Sequence, residues 1–181
     1  MILENWGATP AEQNGPVVGD DLCPDPGVSA TRCITIDAPP NEVFPWLQQM
    51  GFGRAGWYSY DWIDNLGRRS AQKIEPRWQS VTAGDSIPGG PIDFEAVVVE
   101  SPRHLVLRVG GVSSGRMARR LCFTLAYELR DHPTGTRLVT RMRARIDLPG
   151  GRFAARFLLG PGDGIMLRRQ LLNVKRRVET A

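Results

Sequence analysis

Cysteine and histidine are scarce in this chain of 181 residues, which has three of the first and two of the second. Cys23, Cys33 and Cys122 are too few and too scattered for a disulfide framework or a CxxC metal site, so each is expected to be a small buried hydrophobe. With no His/Cys cluster, no metal site is expected. No serine sits in a nucleophile elbow, which leaves Ser/His/Asp hydrolysis without support. His132 falls in the turn DHPTG, and His104 alternates out of phase with Leu105 and Leu107, so neither is placed for catalysis. Long apolar runs are missing as well. Nothing resembles a membrane span, and the start MILENWGATPAEQ has no basic stretch followed by an apolar one. The expectation is a cytoplasmic protein with no integral membrane segment.

A hydrophobic content of 41% and a charged content of 23% suit one globular domain with a substantial core. Charge is laid out unevenly. Residues 1–100 hold 6 Lys and Arg against 14 Asp and Glu, whereas residues 101–181 hold 17 against 5. Such asymmetry marks either a nucleic-acid surface or two parts of one domain that attract each other.

Gly51-Phe52-Gly53-Arg54-Ala55-Gly56 matches the G-x-G-x-x-G spacing of dinucleotide-binding loops. That chemistry needs a buried strand before the glycines and a helix after them. Here the preceding APPNEVFPWLQQM places Val43, Phe44, Leu47 and Met50 at helical spacing, and bulky WYSYDW follows. The glycines therefore predict a turn between two short helices, and no nucleotide cofactor.

Strand signals are plentiful. In LCFTLAYELRD, Leu121, Phe123, Leu125, Tyr127 and Leu129 share one face. In TGTRLVTRMRARIDLPG, Leu138, Thr140, Met142, Ala144 and Ile146 alternate with Arg137, Val139, Arg141, Arg143 and Arg145, and DHPTG joins the two runs into a hairpin. The arginine row predicts a solvated, partly ion-paired outer face, because no aromatic-studded groove accompanies it. A second hairpin is expected from Phe94–Glu100 and Arg103–Val109 around Ser101-Pro102, with further strands at Thr31–Asp37 and, briefly, Gly84–Pro88. Downstream, Asp163 is the expected N-cap of a long helix carrying Leu167, Leu171, Val174 and Val178 inward, with Arg168, Arg169, Lys175, Arg176 and Arg177 outward.

This order of elements, a strand, two short helices, antiparallel strands and a long final helix, resembles the helix-grip fold of the START-like (SRPBCC) superfamily. TRCITIDAPPNEVFPWLQQMGFGRAGWYSYDWIDNLGR, PRWQSVTAGDSIP and PGDGIMLRRQLLNVKRR are similar to a polyketide cyclase/dehydratase-like branch of actinobacterial type. The resemblance covers residues 30–181, and leaves 1–29 as an N-terminal extension. It implies an α+β domain in which a curved antiparallel sheet wraps the last helix around an internal cavity. Members of the superfamily include carriers, receptors and enzymes, so fold alone does not choose among them.

On that geometry, Trp57, Tyr58, Tyr60 and Trp62 are expected near the cavity entrance, with Phe94, Leu107, Phe123, Tyr127, Met142 and Met166 on its walls. Candidate acids and bases are Tyr58, Tyr60, Asp61, Asp64, Asp93, Glu95 and Arg54, and Tyr58, Asp61 and Arg54 would carry catalysis. Asp93 and Glu95 flank Phe94 and point outward if it points in. Residues 150–162, GGRFAARFLLGPG, form a candidate lid hinged at Gly-Pro-Gly, which limited proteolysis with and without a bound lipid would test. The expected partner is a small, mostly hydrophobic ligand rather than nucleic acid. The function is either carriage of that ligand or a cyclase, aromatase or dehydratase reaction in the same cavity, with a basic-face interaction module as a third reading. An unpaired sheet edge would also support a homodimer, although no segment marks one.

Overall fold

In the computed structural model, which describes residues 5–90, 92–109, 121–147 and 160–181, six strands form one antiparallel sheet. They are β1 (Val28–Ile36), β2 (Ser86–Ile87), β3 (Phe94–Glu100), β4 (His104–Val109), β5 (Leu121–His132) and β6 (Gly135–Ile146), in the order β1-β6-β5-β4-β3-β2. The helices are α1 (Pro10–Asn14), α2 (Pro40–Gln48), the single turn α3 (Asp61–Asp64) and α4 (Gly160–Glu179). A curved antiparallel sheet closed over a carboxyl-terminal helix is the α+β helix-grip fold.

Register explains how the alternation of the sequence becomes a core. The β5–β6 hairpin pairs Phe123 with Ala144, Leu125 with Met142, Tyr127 with Thr140 and Leu129 with Leu138, which puts both apolar rows on the same face. Val43, Phe44 and Leu47 of α2, with Leu167, Leu171, Val174 and Val178 of α4, pack against that face. In β3 a bulge between Ala96 and Val98 changes the phase: Phe94 and Ala96 face the main core, whereas Val97 and Val98 join the outer cluster. Before the bulge, Glu95 alternates with Phe94 and Ala96, points outward and pairs with Arg108 across the strands at 2.8 Å.

The long helix begins three residues before the expected cap at Asp163. Gly160-Pro161-Gly162 is its first turn rather than a break, because the first turn has no intrahelical use for the N–H that proline lacks. Of the candidate lid, residues 150–162, the stretch 150–159 lies outside the described residues. Arg177, expected on the outward side of α4, is buried instead, where it donates to the carbonyl oxygens of Ala71 and Asn173 at 2.8 and 3.2 Å.

The outer face also differs from expectation, because residues 5–24 lie across the arginine row. Thr9 and Glu12 form a capping box on α1, and the Glu12 carboxylate then receives Nε and Nη2 of Arg137 at 2.7 and 2.8 Å. Arg141 donates to the carbonyl oxygens of Glu12, Gln13 and Gly15, to Asp20 and to Thr31. Arg143 pairs with Asp20, and Arg145 donates to the Pro24 carbonyl. The acidic first half therefore folds onto the basic second half, and these arginines are committed within the chain. Asn5 and Trp6 also accept the Thr31 and Cys33 amides on the free side of β1, so that edge is capped locally. Cys23 and Cys33 are buried, and burial pushes both thiols up to about 12.

Candidate functional site

Between the sheet and α4 lies a cavity of about 170 Å³. Phe94 of β3 and Phe123 and Leu125 of β5 form its sheet side, and Met166 and Leu167 of α4 form the facing wall. Trp57, Ser59 and Asp64 come from the segment that follows the glycine turn, with Gly89 and Gln170 completing the lining. The three aromatic rings adjoin in series, Trp57 edge-on to Phe94 at 5.3 Å and Phe94 tilted against Phe123 at 6.1 Å between centroids.

The glycine turn positions this wall. Gly51, Gly53 and Gly56 have φ values of 137°, 70° and 79°, which side-chain-bearing residues rarely adopt. Gly51 and Gly56 exchange backbone hydrogen bonds, the Phe52 amide donates to Pro88, and the Ala55 amide donates to Gln49. Amides that would face a phosphate in a dinucleotide loop are thus used to close a turn. Arg54 leaves that turn on the other side. There it donates to the Gln48 and Trp78 carbonyl oxygens and stacks with Arg77 on the Trp78 ring, beside a separate, more open groove.

Two amide side chains of α4 hold the wall to the helix. Gln170 donates to the Trp57 carbonyl at 2.9 Å and accepts from the Tyr127 hydroxyl at 2.8 Å. Asn173 donates to the Tyr58 carbonyl at 2.8 Å. Tyr58 itself turns away from the cavity and is fully buried, its hydroxyl accepting from Gln49 at 2.6 Å and its ring lying edge-on to Trp46 and beneath Arg177. Burial raises the Tyr58 phenol above the ordinary tyrosine range, opposed by Gln49 and the nearby arginines.

Asp64 is the polar group of most chemical interest. Both of its carboxylate oxygens are shielded from water, and neither completes a hydrogen bond. Burial, reinforced by the Asp61 charge, raises its pKa to about 6, while adjacent Ser59 opposes the rise without making a bond of ordinary geometry to either oxygen. Because the folded-state value lies above the unfolded 3.8, the stability this group contributes is present below pH 3.8 and is lost as the pH rises through about 6. Asp64→Asn is therefore expected to be more stable than the parent at about pH 7 and to flatten this part of the pH profile. Urea melts of both proteins between about pH 4 and 8 check it; superimposable profiles would remove Asp64 as the titrating group.

The structure places Trp57, Phe94, Phe123 and Met166 at the border of this cavity. It places the other six expected contacts elsewhere. Tyr58, Leu107, Tyr127 and Met142 are core residues with no more than 1% exposure, Tyr60 caps α3 beneath Arg169, and Trp62 is 73% exposed. The tetrad separates because WYSYDW is helical only from Asp61, so neighbouring rings leave the backbone in different directions. Asp61 and Arg54 do not pair: Asp61 accepts from the Ser70 hydroxyl and amide, which orders the turn. Ser59, Gln170 and Leu125 were not among the expected cavity residues. Gln170 did leave a signal, as a polar residue three positions after Leu167 on the greasy stripe of the last helix.

No protein-family model matches this chain, and no curated protein matches it. Solved structures share its fold. A protein from Rhodobacter sphaeroides aligns with a TM-score of 0.52 at 12% identity, over 87% of this chain and 96% of its own. The KanY protein, solved by NMR in solution, gives 0.52 at 13% identity over 84% and 97% respectively. A protein from Arthrobacter aurescens gives 0.51 at 12% identity over 86% and 88%. At these identities the likeness establishes the fold. Among the described residues, no helix is long and apolar enough to cross a membrane.

Proposed function

We propose that this chain is a START-like (SRPBCC) protein that binds a small, mostly apolar molecule in the cavity between the sheet and α4. The observation that carries this reading is the lining itself. Trp57, Phe94, Phe123, Leu125, Met166 and Leu167 supply apolar contact, and Ser59, Asp64 and Gln170 add a few convergent polar groups. Its size suits a ligand of one or two rings, since a dry cavity of about 150 Å³ holds benzene. Residues 30–181 would form the binding unit, with the extension before them acting as a clasp on the opposite face.

Titration with indole, followed by NMR, tests the reading. Saturable shifts at Trp57, Phe94, Phe123 and Met166 are expected, and Leu125→Trp should abolish them by filling the space. Absence of saturation, together with no apolar passenger in native mass spectra of the purified protein, would overturn it.

An enzyme of the cyclase, aromatase or dehydratase type in the same cavity is the second reading, favoured by one observation. A shielded carboxylate with a pKa of about 6 is suited to give or take a proton near neutral pH. In that reading Asp64 takes the role first assigned to Asp61, because Asp61 is held by Ser70 and Tyr58 lies outside the cavity.

A further inference from the structure

We infer that the cavity selects ligands carrying a protonated amine, whose ammonium would sit between the Asp64 carboxylate and the aromatic series Trp57, Phe94 and Phe123. This rests on the cavity-binding reading above and adds the charge of the ligand to it.

The inference starts from an imbalance. Among the described residues that line the cavity, Asp64 is the only charged side chain. Both of its oxygens are shielded, neither completes a hydrogen bond of ordinary geometry although Ser59 lies beside them, and no described cation pairs with it. A carboxylate so placed gains from any cation that brings its own N–H groups, since an unpaired buried charge is among the most unfavourable arrangements in a protein. The nearby arginines are already engaged. Arg169 lies over the Tyr60 ring, and Arg177 is tied to the Ala71 and Asn173 carbonyl oxygens.

The rest of the lining suits the same charge. Three aromatic rings lie on the same cavity, linked by centroid distances of 5.3 and 6.1 Å. Aromatic faces attract cations through their quadrupoles, and rings grouped beside a carboxylate are the arrangement that recognises ammonium groups. A ligand anion would meet Asp64 with repulsion, and a neutral apolar ligand would bring its oxygens no further donor. Aliphatic contact from Leu125, Met166 and Leu167 leaves room for a short carbon skeleton behind the nitrogen. The chemical class is therefore a small aryl- or alkylamine.

Three probes of nearly equal shape test this on the intact chain: 2-phenylethylamine, 2-phenylethanol and phenylacetate, with dissociation constants measured by calorimetry or NMR at about pH 7.5, above the Asp64 titration. The amine is expected to bind ~10- to 100-fold more tightly than the alcohol, the range of one charge-assisted hydrogen bond, and phenylacetate more weakly than either. Asp64→Asn should bring amine and alcohol within about threefold of each other. If alcohol and amine bind alike in the parent protein, or phenylacetate binds best, the amine selectivity is wrong while the cavity reading stands. If none of the three binds, and indole does not either, both readings fall. The comparison within the parent protein needs no variant, so it decides the matter even if the substitution perturbs folding.

Discussion

Arg141→Ala is expected to lower the free energy of unfolding by roughly 3–5 kcal/mol, as removal of one partner from a buried ion pair does. Arg141 is 5% exposed, and its guanidinium reaches Thr31, the Asp20 carboxylate and three backbone carbonyl oxygens of residues 12, 13 and 15. Alanine would leave those acceptors facing a void that water fills poorly, and it would free the amino-terminal segment from the sheet. Urea denaturation near neutral pH measures the effect; a loss below about 1 kcal/mol would mean that the segment is held by other contacts. The same clasp has an acid limit. Arg137 holds the Glu12 carboxylate down at about 2 against 4.5 unfolded, so the stability from that pair is present above pH 4.5 and is lost as the pH falls toward 2.

Tyr58→Ala should be comparably damaging, at roughly 3–5 kcal/mol, whereas Tyr58→Phe should lose only about 1 kcal/mol. The ring is fully buried against Trp46 and Arg177, and it holds the backbone in a left-handed conformation at φ 59°. That conformation is unfavourable by about 1–2 kcal/mol for a residue with a side chain, so packing of the ring must exceed it. The consequence for function is indirect. Tyr58 adjoins Trp57, and the carbonyl oxygens of both residues are bound by α4. Losing the ring therefore loosens the cavity wall. Denaturation of both variants, with indole titration alongside, separates the two roles: the phenylalanine variant should keep saturable binding and the alanine variant should lose it. A phenylalanine variant as unstable as the alanine one would assign the stabilisation to the Gln49 hydrogen bond instead of the ring.

Local pattern carried much of the fold in this protein. Strict alternation in LCFTLAYELRD and TGTRLVTRMRARI places five residues of each strand on one face, and a hairpin turn between them sets the register, so β5 and β6 follow from period and turn chemistry. The stripe Leu167, Leu171, Val174 and Val178 marks the gripped helix in the same way. The three glycines before WYSYDW identify a turn because the chain takes positive φ at all three within six residues.

Tertiary structure decided what those patterns met. An arginine row on one strand face says that the face is polar, but not whether water or protein covers it; only the folded chain shows Glu12 and Asp20 arriving from more than a hundred residues away. Cavity membership was equally non-local. Trp57 and Tyr58 are neighbours in sequence, yet one ring lines the cavity and the other is buried in the core, because φ at Tyr58 turns the backbone between them. Asp64 is an ordinary carboxylate in the sequence. Its shielding and raised pKa arise where α3, β3, β5 and α4 converge, since desolvation depends on what surrounds a group in space rather than on what precedes it in the chain.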